Sequence, residues 1–218
     1  MTAVTRAATA GAGALGLLAI CIASSAQAAS IVPGGTFAAS AGPTRLVLVS
    51  GGTALPINCT SSSLALSINA GAYPPPADVG NVTPSLQSCV GPTGLAVTFT
   101  CNAVTPSDLW VILNPIGGST LGELRGVDCT GTFPLLGCSF RLSGTLDVTY
   151  VNPSGATPAS VIARVSAVGL ATSAGTCPGT LVPPGAVGRL GAPFGSGTGL
   201  TNLTYALGGA ASTHPVVS

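Results

Sequence analysis

The chain has 218 residues, only 5% of them charged, and a formal net charge of +1. An ordinary soluble domain carries about 25% charged residues, so the surface here has to be built from Ser, Thr, Asn, Gly, Pro and Ala. All six cations are arginines spread along the chain, which excludes nucleic-acid binding, because that requires clustered cations to displace phosphate counterions.

Residues 1–28 read as a signal peptide. Arg6 precedes an apolar run from Ala14 to Ala23, which has the length of a signal core and is too short to span a bilayer. Ala26-Gln27-Ala28 then supplies the small-x-small pattern of signal cleavage. Leu18 to Cys21 approaches a lipid-attachment motif, but Ile20 stands where a small residue is needed, so lipidation at Cys21 is not expected. The G-x-G-x-x-G match from Gly11 to Gly16 has no strand before it and falls inside the signal, so it is no dinucleotide site. The mature chain, 29–218, is expected to form a single domain around one core. It carries no transmembrane segment, its five arginines balance five acids, and a flexible tail is expected from about residue 209.

Apolar residues then recur at a period of two, the signature of strands. Leu46 and Leu48 share one face and Val47 and Val49 the other, so this strand is buried on both sides. Leu64, Leu66 and Ile68 alternate with small residues and turn back through Tyr73-Pro74-Pro75-Pro76. The antiparallel partner runs from about Val79 to Cys89, in a register that sets Cys59 opposite Cys89. Leu95, Val97, Phe99 and Cys101 alternate next, and Leu109 to Leu113, with Trp110 inside it, reads as a central strand. The longest pattern runs from Phe140 to Tyr150. Asn152-Pro153-Ser154-Gly155 breaks it and Val161 to Ala167 resumes it. Setting Tyr150 opposite Val161 places Val148 against Ala163 inside and Asp147 against Arg164 outside, a favourable cross-strand charge pair. Leu203, Tyr205 and Leu207 suggest a last strand. Short strands separated by Gly/Pro turns predict an all-β fold, an antiparallel β-sandwich or barrel-like domain with disulfides, preceded by the signal-peptide helix.

Six cysteines remain after export: Cys59, Cys89, Cys101, Cys129, Cys138 and Cys177. An even number in an exported chain predicts three disulfides, with fifteen connectivities open. Strand geometry favours Cys59–Cys89 and brings Cys138, opposite Ser173, within reach of Cys177, which leaves Cys101 for Cys129. Cys129 with Cys138 is the main rival. No C-x-x-C motif is present, so zinc is not expected.

From Gly35-Thr36-Phe37 onward the chain resembles a loose group of actinobacterial secreted proteins of unassigned function. The segments that carry the likeness are Cys59-Thr60-Ser61-Ser62, Cys89-Val90-Gly91-Pro92, Gly144 to Asn152 and Cys177-Pro178-Gly179. The resemblance implies export and β structure and supplies no catalytic residue.

The residues offer little chemistry. His214 is the one histidine and sits near the chain end, where a triad base would lack a fixed geometry. Among the carboxylates, Asp78 and Asp108 lie beside proline turns, Asp147 is explained by Arg164, and Glu123 and Asp128 are spaced to face opposite ways on one strand. No catalytic residue, cofactor or metal is assigned. The sequence favours a non-enzymatic binding, adhesion or structural module that meets cell-wall or other extracellular surface components. An extracellular hydrolase using acidic residues and a carrier of apolar small molecules are the alternatives.

Overall fold

The structure, a computed structural model, describes residues 28–92, 94–101, 118–165, 169–173 and 175–218 in full, and the backbone of 109–116. The signal segment before residue 28, Asp108 and the side chain of Trp110 lie outside the described residues.

After β1 (Ala29–Val32), the strands β2 (Gly35–Ala41) and β3 (Thr44–Ser50) run in line. Both pair with β4 (Thr53–Ile68), from Gly35 opposite Ile68 to Ser50 opposite Thr53. Gly51 and Gly52 form the hairpin turn with φ of 55° and 82°. A two-residue turn of this hand follows the twist of the strands but needs positive φ at both positions, which glycine adopts without steric cost. A short β5 (Gly71–Tyr73) follows. β6 (Ala77–Val90) then returns along β4 in the expected register, Cys59 opposite Cys89 and Ile68 opposite Gly80.

β7 (Ala96–Cys101) and β8 (Leu109–Ile116) occupy one lane between β6 and β9 (Ser119–Phe133). β10 (Cys138–Val151) pairs along the whole of β9. β11 (Ser160–Ala163) and β12 (Leu170–Ser173) share the next lane on β10. β13 (Val187–Pro193) and β15 (Leu203–Leu207) share the last, with the two-residue β14 (Leu200–Thr201) folded back on the end of β13. Because β13 pairs with β3 and β15 with β2, the sheet meets its own beginning. The result is an eight-lane antiparallel ring, so the barrel arrangement holds rather than two separate sheets. Closure removes the exposed edges that an open sheet would present.

An eight-stranded barrel is just wide enough for side chains to fill. Here Leu46, Leu48, Ile57, Leu64, Leu66, Phe133, Phe140, Tyr150 and Tyr205 point inward and are buried. Phe140 packs edge-on to Phe99 and tilted against Phe133, with ring centroids 5.9 and 6.0 Å away. Its ring lies over Gly131, where any Cβ would come within 2.3 Å of it. At the other end, β16 (Val216–Val217) pairs with β1, which also pairs with β5. This three-stranded cap adds Ala29, Ile31 and Val217 to the same core. Among the described residues most outward positions carry Ser, Thr, Ala or a charged residue.

Three local expectations need correction. The pairing of Tyr150 with Val161 and Val148 with Ala163 is as expected, but Ser173 lies opposite Arg141 instead of Cys138. The slip occurs where the Gly144 and Gly169 backbones meet. A Cβ on Gly144 would stand 1.7 Å from the Gly169 oxygen, so only glycine permits this approach of the two backbones. Second, Gly126 at φ 71° forms a bulge in β9 that resets its alternation. Third, residues 209–218, expected as a tail, are tied in by β16 and by a reciprocal pair of hydrogen bonds, Asn152 Nδ2 donating to the Val217 oxygen and the Val217 amide donating to Asn152 Oδ1.

Candidate functional site

The cysteines join as Cys59–Cys89, Cys101–Cys129 and Cys138–Cys177. The first two link directly opposed residues across β4–β6 and β7–β9. The third anchors the loop after β12 to the start of β10. A disulfide-rich all-β fold of this kind is compatible with an extracellular protein. No described helix is long and apolar enough to cross a membrane.

His214 is buried, not in a mobile end. Its Nδ1 accepts the Ala159 amide at 3.1 Å, and its Nε2 lies 3.0 Å from the Gly208 carbonyl oxygen. An acceptor at Nδ1 leaves Nε2 as the protonated donor, so the ring is a neutral brace with both nitrogens occupied. Tyr150 is also structural: its hydroxyl donates to the Pro215 carbonyl, and burial raises its pKa. Tyr205 accepts from Ser62, which also shares a 2.7 Å hydrogen bond with Thr44, all within the core. Burial pushes the Tyr205 phenol up to about 12.

The carboxylates do not assemble a hydrolytic pair. The Gly126 bulge turns Glu123 and Asp128 to the same outer face, contrary to the strict alternation expected. Each is then held by an arginine, Glu123 by Arg125 at 2.7 Å and Asp128 by the two-pronged guanidinium of Arg141. The Arg141 hydrogen bond holds the Asp128 carboxyl below its ordinary range. Asp147 lies opposite Glu123 and beside Arg164, to which it is joined by a backbone bond, Arg164 N–H to the Asp147 oxygen at 3.0 Å. Among the described residues no ion pair joins the side chains of Asp147 and Arg164, although the two residues meet across the strands as expected. Three acids and three arginines thus lie along β9, β10 and the end of β11. Among the described residues no group of three or more His, Cys, Asp or Glu could hold a metal ion.

The opposite side of the ring is different. Across β2, β4 and β6 the registers set Thr36, Ser67 and Asn81 in one row, Ala38, Ala65 and Thr83 in the next, and Ser40, Ser63 and Ser85 in a third. These nine positions carry no charge. Above the first two rows lies an open groove of about 420 Å³, while the side chains of Phe37 and Leu66 turn to the core on the other face of the sheet. The alanines make the hollow, and hydroxyls and one amide rim it. Sequence reasoning missed this face, although the alternation of Ser, Thr and Ala with apolar residues was its signal. No protein family, no curated protein and no solved structure matches the chain.

Proposed function

We propose that the mature chain is an exported, non-enzymatic contact module that sets its charge-free face against a neutral extracellular surface, cell-wall glycan being the nearest match. The observation that carries this reading is the groove over Ala38 and Ala65. Its rim offers the hydroxyls of Thr36, Ser67 and Thr83 and the amide of Asn81, and its floor the methyl groups of Ala38 and Ala65. An uncharged polyhydroxyl chain matches such a set: hydrogen bonds meet its hydroxyls and apolar carbon meets its ring faces. Fixed donors on rigid strands lose little conformational freedom on binding. Six cysteines closed as three disulfides support a location outside the reducing cytoplasm.

The test is fractionation of cells producing the full chain, followed by incubation of the purified mature protein with washed cell walls. The protein is expected in the wall pellet, released by soluble neutral wall fragments but not by raised salt, since a contact without charges is not screened. Recovery in culture supernatant alone, with no affinity for walls, would overturn the reading.

A further inference from the structure

The face of β3 that points away from the core is also covered, and what covers it leaves a second hollow. Val47 is only 2% exposed although it faces outward, opposite Arg189 and Pro56. Residues 194–202 fold back over it. This loop is pinned by β14 on Ala192 and Pro193, by Arg45 Nη1 donating to the Gly199 oxygen at 3.2 Å, and by the Val165 amide donating to Asn202 at 3.1 Å. Beneath it lies a pocket of about 200 Å³ walled by Val47, Val49, Ala54, Val165 and Leu200. Arg189 and the Thr198 hydroxyl are its polar groups. Among the described residues the Arg189 guanidinium makes no hydrogen bond and no ion pair, whereas Arg125 and Arg141 each hold a carboxylate.

We propose that this pocket binds a small amphipathic monocarboxylate, its carboxylate on Arg189 and its short aliphatic chain against the valines. An arginine fork matches the two oxygens of a carboxylate, and no acid lines the pocket to compete for it. The volume is below the roughly 300–1,000 Å³ of sites for drug-sized ligands, which restricts the tail to a few carbons. Arg189 sits at the rim, so the head stays near solvent while the tail is desolvated. The site is separate from the charge-free groove and does not depend on the role proposed for it.

The experiment is calorimetric titration of the purified mature protein with hexanoate, then with acetate, hexanamide and inorganic phosphate. Hexanoate is expected to bind saturably at one site. Acetate, hexanamide and phosphate are expected at least tenfold weaker, because each lacks either tail or carboxylate. Arg189→Met and Ala54→Trp are expected to weaken hexanoate at least tenfold. Both change exposed side chains, so their thermal unfolding should match the parent and show that the fold is kept. Absence of saturable hexanoate binding, equal binding of phosphate, or undiminished binding by Arg189→Met would overturn the proposal.

Discussion

The two sides of the barrel are built on the same ring and solve the same problem differently. Around β10, outward positions hold ion pairs, Glu123–Arg125 and Asp128–Arg141. Around β4, on the far side of the ring, they hold Ser, Thr, Ala and Asn in registered rows. Surface ion pairs add little stability, and what they do contribute is orientation and solubility. A chain this poor in charge has set six of its charged residues on one wall and left the rows across β2, β4 and β6 without any. The neutral wall is therefore the one that can lie against an uncharged surface without stripping water from an ion.

If both walls share one core, damage behind the charged wall should destabilise the whole barrel. Phe140→Ala removes the ring packed on Phe99, Phe133 and Gly131, and is expected to cost about 3–5 kcal/mol, read as a lower midpoint in denaturant melts. On the other side, the β4–β6 seam beside the neutral rows is closed by a covalent stitch. Replacing Cys59 and Cys89 together by alanine is expected to cost about 2–5 kcal/mol, seen in the same melts under non-reducing conditions.

Alkaline titration separates core from surface. A phenol whose folded pKa lies above its unfolded value stabilises the fold fully below the unfolded value of about 10. That stability is lost as pH rises toward the folded value, here about 12 for Tyr205. Stability should therefore fall above pH 10, and phenolate absorbance at pH 11 should gain a further step on unfolding, from Tyr150 and Tyr205.

The smallest effect belongs to the charged wall. Asp128 has a lowered pKa, so its contribution is present above the ordinary carboxylate value and lost as pH falls through the lowered one. Asp128→Asn should shift the melting midpoint slightly at pH 7 and not at pH 2. An equal shift at both would remove the ion pair from the account.

How much of this was legible beforehand depends on where each constraint lies. The β4–β6 and β10–β11 registers could be read because alternation, a turn cluster and opposed cysteines or charges agreed on one pairing. The Gly51-Gly52 hairpin is equally readable, a diglycine between two alternating runs. Closure was not readable, since β15 meets β2 far away in sequence and nothing local specifies it. The slip at Gly144 and Gly169 depends on two backbones approaching too closely for a side chain, which appears only once the strands are placed. The placement of His214 depends on Ala159, in another part of the chain, as well as on the nearby Gly208. The pocket under residues 194–202 was hidden because Gly195-Ser196-Gly197-Thr198-Gly199 reads as a linker until the loop folds back.

The most direct measurement is a paired co-sedimentation with washed cell walls, one arginine placed on each side of the ring. Ala65→Arg puts a charge into the neutral rows, and Thr149→Arg adds one to the outer face of β10. Both should fold, with unchanged circular dichroism and melting. The account predicts that Ala65→Arg leaves the wall pellet while Thr149→Arg stays with it. Equal retention of both variants, or loss of Thr149→Arg alone, would contradict it.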